Sequence, residues 1–195
     1  MAKADEKVLV EVSARHVHLT QDDVDILFGK GYELTVDKWL SQPGQFLCKE
    51  KVMVVGPKKT FERVGIIGPV RSKTQFELSK TDCIGIGVQG FVRLSGDVAG
   101  TPGIIIKTEK GQIEPKEGVI IAKRHLHMTP ADAEHYGLKD GQNIAIRVDC
   151  GSGRSTVFED TIVRVSSNAA LAMHVDTDEG NAALMGFTAE GEIIR

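Results

Sequence analysis

Arg15-His16-Val17-His18-Leu19-Thr20 returns later in the chain as Arg124-His125-Leu126-His127-Met128-Thr129. Each copy follows an apolar, β-branched run, residues 8–12 before the first and 119–122 before the second. Each also precedes a helix signal. Thr20 with Asp23, and Thr129 with Asp132, pair a capping threonine with an acid three residues on, and Pro130 holds the favoured first helical position. Gly29 and Gly137 fall where the helices should stop. A unit of strand, His pair and helix used twice predicts an internal duplication, with halves at 1–115 and 116–195. A strand ending in His-x-His puts both imidazoles on one face, because side chains alternate with period 2. Two rings so placed can converge on one metal ion.

The rest of the composition narrows the class. The 195 residues suffice for two domains of roughly 100 each with adequate cores. A net charge of −3 and 5% aromatic residues give neither the basic patch nor the stacking surface of a nucleic-acid binder. No apolar run approaches the ~18 residues needed to span a membrane. Residues 1–7 are polar, with no apolar core for a secretion signal. Cys48, Cys83 and Cys150 form no C-x-x-C pair. The odd count predicts free, buried and inert thiols in a reducing cytoplasm.

Along the chain, strands are predicted at 8–12, 52–55, 61–67, 104–107, 144–148 and 157–165, with helices at 20–28 and 130–136. Gln42-Pro43-Gly44-Gln45 is a turn, and the polar stretch 109–118 reads as the domain boundary. Residues 70–78 alternate, with Arg71, Lys73, Gln75 and Glu77 on one face of a predicted strand. That face is either a solvated edge or a wall supplying a carboxylate and a cation to a metal. Ser95-Gly96-Asp97-Val98-Ala99-Gly100-Thr101-Pro102-Gly103 is glycine-rich but lacks a phosphate-loop lysine, so it reads as a turn. His135 falls inside a helix, away from the pairs, as a surface residue. His174 follows an apolar stretch and precedes an acidic helix start, trailing the second His pair as Glu77 trails the first. Each half thus offers two paired His and one further candidate ligand. Three protein ligands with an open position is the arithmetic of a catalytic zinc site, whereas a structural site is closed with four.

These residues carry a family resemblance. The two Arg-His-x-His copies, Gln42-Pro43-Gly44-Gln45, the run from Gly68-Pro69-Val70-Arg71-Ser72 through Gln75, Glu77, Ser79, Thr81 and Asp82, Ser95-Gly96-Asp97, Gly100-Thr101-Pro102-Gly103, and His174-Val175-Asp176-Thr177-Asp178-Glu179 closely resemble the PduL-type phosphate propanoyltransferases. The likeness runs from about Val8 to Gly186. It implies a mainly β fold of two β-barrel domains, each capped by short helices, and a phosphotransacylase exchanging coenzyme A and phosphate on a propanoyl or acetyl group. It further implies two zinc ions per chain, held by His16, His18, Glu77, His125, His127 and His174, with Arg71 as the phosphate-binding, catalytic cation. Coenzyme A contacts would fall on Ser13, Ala14, Arg15, Lys58 and Asn181. The family's pattern has an Arg six residues before Arg71, where this chain has Gly65; Arg63 lies on the same strand face.

The residue types suit that chemistry. An Arg fork matches phosphate oxygens better than a Lys point charge. Zinc is a soft enough ion for a departing thiolate. Direct transfer in a ternary complex needs no Ser or Cys nucleophile. Two rivals use the same His cluster: a two-zinc ester or thioester hydrolase, and a non-catalytic metal-stapled compartment protein. The expected partners are acyl-CoA, phosphate and a second copy of the chain in a homodimer, with no nucleic acid and no membrane. About seven polar residues before the first strand are too few for an amphipathic targeting helix. The expected location is therefore the cytoplasm, with a bacterial microcompartment and its shell as the alternative.

Overall fold

The computed structural model describes residues 7–194. The first stretch of the chain forms β1 (Lys7–Ser13), β2 (His16–His18), α1 (Gln21–Phe28), β3 (Val36–Trp39), β4 (Phe46–Val55) and β5 (Thr60–Gly68). Next come β6 (Gln75–Glu77), α2 (Lys80–Ile86), β7 (Val92–Arg93), β8 (Ile105–Lys107) and β9 (Gln112–Ile113). The remainder comprises β10 (Val119–Ala122), β11 (His125–Met128), α3 (Pro130–Tyr136), β12 (Asn143–Val148), β13 (Thr156–Val165), β14 (Ala172–Asp176), α4 (Thr177–Ala182) and β15 (Thr188–Ile194). The fold is mainly β with short helices, and its residues group into two compact units. One contains residues 7–13, 41–43 and 123–194; the other contains 14–40 and 44–122.

The first unit is a closed barrel in the order β1-β14-β11-β13-β12-β15. Val8, Val10, Leu126, Met128, Ile146, Val148, Met173 and Val175 fill it. Because Leu126, Met128 and Met173 point into that core, alternation turns His125, His127 and His174 to the outer face. The second unit is a nine-stranded sheet in the order β7-β10-β6-β2-β5-β4-β8-β9, with β3 added on β4. It curls as a half-barrel and does not close, so the expected pair of capped barrels is realised as one closed barrel and one half-barrel. Its end strands β7 and β9 are two residues each, too short to zip into a further ladder. Val17 and Leu19 enter this core, so His16 and His18 share the opposite face.

The units repeat one plan. The His strand lies between a parallel and an antiparallel neighbour, β5 and β6 for β2, and β13 and β14 for β11. With both of its edges filled, a His strand has no place for the strand that precedes it. β1 therefore pairs in parallel with β14, and β10 with β6. The duplicated motif suggested a cut between residues 115 and 116. The ladders instead place β1 among the later residues and β10 among the earlier ones.

Residues 70–78 were expected to be one strand, but only Gln75–Glu77 is. The end of β2 captures the chain before that point. Arg71 N donates to Leu19 O at 2.8 Å, and Thr20 N donates to the Thr74 hydroxyl at 3.2 Å. Nor is β6 a solvated edge, since β10 and β2 flank it and Gln75 is buried. The stretch 109–118 is not a bare connection either, because it carries β9 and packs on α1. Helices α1 and α3 begin at Thr20 and Thr129 and stop at Gly29 and Gly137 as expected. Cys48 and Cys83 are buried; Cys150 is exposed in the loop between β12 and β13, contrary to expectation.

Candidate functional site

Two clusters of potential ligands occur among the described residues, one in each unit: His16, His18 and Glu77, and His125, His127 and His174. Within each, the ligand atoms lie within 4.8 Å of one another. Register produces both. His16 stands opposite Glu77 across the β2–β6 ladder, and His125 opposite His174 across β11–β14. Glu77 and His174 are thus structural counterparts, despite their different separations in sequence from the His pairs.

The hydrogen bonds fix how these rings face. His16 Nδ1 donates to Ala14 O at 2.8 Å, His18 Nδ1 to Ile67 O at 2.9 Å, and His125 Nδ1 to Lys123 O at 2.9 Å. A carbonyl can only accept, so Nδ1 carries the proton and Nε2 is left to the cluster. His16 Nε2 and His18 Nε2 are 3.2 Å apart, and His125 Nε2 and His127 Nε2 2.9 Å apart. Burial pushes His18 down to about 4, with the neighbouring His16 and Arg71 acting the same way and Glu77 opposing. Burial likewise pushes His127 down to about 2, helped by His125, His174 and Arg164. Burial thus disfavours the charged form of both imidazoles. Burial alone would raise the Glu77 carboxyl, but His16 and His18 hold it well below the usual carboxylate range. His16, His18 and His125, anchored through Nδ1 and turning Nε2 to their clusters, have the orientation of zinc ligands, and the donor sets N2O and N3 both fit that ion.

Arg71 joins the first cluster through a short chain of hydrogen bonds. Its Nη1 donates to Ser95 Oγ at 3.1 Å, and Ser95 Oγ donates to Glu77 Oε1 at 2.8 Å. Gln75 Nε2 adds bonds of 2.6 Å to Glu77 Oε1 and 3.0 Å to Ser95 Oγ, while Gly96 N donates to Gln75 Oε1 at 2.6 Å. A straight strand would separate residues 71 and 77 by ~20 Å. The irregular backbone before Gln75 brings them within two hydrogen bonds. Ser95 and Gln75 were not among the residues expected here. Ser95-Gly96-Asp97 had read as a turn, and only its side-chain contacts link it to Glu77.

Glu11 is a second residue that the sequence did not single out. It pairs with His174 across β1–β14, and its Oε2 lies 3.2 Å from His174 Nε2. The Ser41 hydroxyl donates to the same carboxylate. Its signal was only its outward position on β1. Of the residues expected to contact coenzyme A, Arg15 is held by Asp82, Ser13 is half-buried at the end of β1, and Ala14, Lys58 and Asn181 are exposed. Arg63 is exposed on β5, and Gly65 pairs with His16. His135 is exposed, as expected.

A mainly β protein with two ligand clusters and an Arg tied to one of them narrows to an acyl-transferring class once its relatives are considered. A family model described as phosphate propanoyltransferase matches residues 9–186. The chain is 52% identical to the phosphate propanoyltransferase of Thermotoga maritima over 178 residues, covering 91% of this chain and 84% of that one. Its identity to the Listeria monocytogenes protein of the same name is 47% over 188 residues, covering 96% and 87%. With that of Leptotrichia buccalis the identity is 49% over 187 residues, again covering 96% and 87%. The chain belongs to the phosphate propanoyltransferase family, a family of acyltransferases. Among the described residues, no helix is long and apolar enough to cross a membrane.

Proposed function

We propose that this protein is a phosphotransacylase that exchanges coenzyme A and phosphate on a short acyl group, propanoyl or acetyl. In this reading His16, His18 and Glu77 hold one zinc ion, and His125, His127 and His174 hold another. The observation that carries it is the Arg71–Ser95–Glu77 chain, which ties a guanidinium to a candidate ligand carboxylate. When bound, zinc supplies Lewis-acid charge for the thioester carbonyl oxygen and a soft partner for a thiolate. Arg71 binds the incoming phosphate through two oxygens, neutralising part of its charge and aligning it. A phosphate oxygen bonds to the acyl carbon, the carbon–sulfur bond breaks, and coenzyme A leaves with the electron pair. Gln75 and Ser95 hold Glu77 while this happens. Ser13, Ala14, Arg15, Lys58 and Asn181 contact coenzyme A, Ala14 through its main chain. A cytoplasmic homodimer belongs to the same reading, and a tagged protein sedimenting with microcompartment shells would overturn that placement.

The test is release of coenzyme A from propanoyl- and acetyl-CoA, each with and without phosphate, on protein whose zinc content is measured. Phosphate-dependent release supports the proposal. Release without phosphate marks a hydrolase, and no release marks a non-catalytic metal protein.

A further inference from the structure

Arg15 and Arg124 stand immediately before the first His of each pair, and both are tied down in the same way. Arg15 Nη2 lies 2.7 Å from Asp82 Oδ1, and its Nε donates to Asp82 Oδ2 at 3.0 Å, a two-pronged contact. Arg124 Nη1 lies 3.3 Å from Glu179 Oε1. The Arg15 guanidinium sits 4.6 Å above the ring of Phe61, and that of Arg124 5.6 Å above the ring of Phe158.

The three partners occupy matching positions in the two units. The acid comes five residues after the third ligand, Asp82 after Glu77 and Glu179 after His174. In each unit it is the third residue of a helix whose cap follows the ligand strand, capped by Ser79 for α2 and Asp176 for α4. The Phe comes four residues before the one that pairs with the first His: Gly65 opposite His16, and Ile162 opposite His125. The chain therefore holds the same Arg–acid–Phe clamp twice, although the acid differs in length.

The clamp ties together the two strands whose side chains must converge. β2 and β6 share only three paired residues, and so do β11 and β14. Ladders that short leave the strand ends poorly fixed, whereas a ligand set needs its members held within about 0.5 Å. The Arg side chains are 45% and 28% exposed and their acids 9% and 22%, so each pair is half-buried and holds its geometry at the end of a short ladder. That is where the placement of ligands needs support.

We propose that Arg15 and Arg124 are positioning residues. Each holds its His-x-His strand against the strand bearing the third ligand, and so sets the zinc affinity of its own cluster. This rests on the zinc reading above, and the experiment separates the two.

Arg15→Met keeps the stem over Phe61 and removes the fork; Arg124→Met does the same over Phe158. Each is made in the full-length protein, alone and in a background that leaves one cluster intact: His125→Ala for Arg15, His16→Ala for Arg124. Zinc affinity is read by competition with a chromogenic chelator, alongside melting temperature and the kcat and KM for acyl-CoA. The expected result is a ~10-fold or greater loss of zinc affinity at the variant's own cluster, the size typical of groups that support metal ligands. The other cluster keeps its affinity, and Arg15→Met lowers kcat as well. Arg15→Lys should recover only part of the loss, because an ammonium lacks the fork. Should Arg15→Met fail to fold, the isosteric Asp82→Asn must weaken the same cluster. Unchanged zinc affinity in variants of a zinc-loaded protein, or a rise in KM alone, overturns the positioning role and leaves the function standing. A wild-type protein that holds no zinc overturns both.

Discussion

At the scale of single residues, the cluster around Glu77 divides its labour. His16 and His18 hold the carboxyl ionised, while Gln75 and Ser95 occupy one of its oxygens. Ser95 also accepts from Arg71 Nη1, so one hydroxyl couples the cation to the candidate ligand. Arg71→Ala should therefore keep its zinc and its melting temperature while losing phosphate-dependent transfer by ~10²-fold or more, the size expected for one charge-stabilising group. Arg71→Lys should recover only part of that activity, since it keeps the charge but not the two-pronged geometry. If Arg71→Ala unfolds the protein, or turns over phosphate normally, the role assigned to it is wrong. Ser95→Ala removes one hydrogen bond from each partner at once. It should weaken zinc binding at this cluster by ~10-fold and raise the KM for phosphate, with little change in melting temperature. A Ser95→Ala protein with wild-type values of both would reduce this hydroxyl to a turn residue.

At the scale of elements, what was legible in the sequence was what is decided locally. Thr20 and Thr129 announce helices through a hydroxyl accepting from the third residue on, and both helices begin there. Even here tertiary structure edits one cap. Asp132 closes its box on Thr129, whereas the Asp23 carboxylate accepts from the Thr74 hydroxyl and Thr74 in turn receives Thr20 N. The His pairs share a face because alternation requires it, but which strand supplies the third group depends on a ladder formed across 61 or 49 residues of chain. Period-2 reading could not reveal that residues 71–74 leave the strand, because a bond from Arg71 N to Leu19 O and one from Thr20 N to Thr74 decide it. The stretch 109–118 was opaque for the same reason. Its hairpin finishes α1, with the Thr108 hydroxyl and Lys110 Nζ donating to the carbonyls of Leu27 and Phe28, a helix end with no basic residue of its own. Gly111 allows that approach, since a Cβ there would lie 2.1 Å from Ile26 O. Backbone cannot step aside as a flexible side chain can, so Gly111→Ala should cost ~1–3 kcal/mol. In a protein of this size that is a drop of roughly 2–4 °C in melting temperature per kcal/mol. An unchanged melting temperature would mean that the hairpin does not press on α1.

At the scale of the whole molecule, the sequence announced a duplication and was silent about where each copy's first strand goes. β1 and β10 are near-equivalent apolar runs, and nothing in residues 8–12 or 119–122 names their partners. The ladders send β1 to β14 and β15, and β10 to β6 and β7. Each unit is thus completed by a strand from the other copy, and a cut at 115/116 leaves neither piece whole. A fragment of residues 116–195 lacks Val8 and Val10, both buried in the barrel core. Burying two Val side chains is worth about 3 kcal/mol. The same fragment leaves β14 and β15 as open edges where a closed barrel stood, and domains are stable by only ~5–15 kcal/mol in total. Expressed alone, residues 116–195 should therefore show no cooperative thermal transition by circular dichroism. Mixing or co-expressing them with residues 1–115 should restore one, because each fragment then recovers the strand it lacks. Fusing residues 7–13 to 123–195 through a flexible linker should rescue the barrel without the other fragment. A sharp, reversible transition from residues 116–195 alone would show that the barrel closes without β1, and that the duplicated halves are folding units after all.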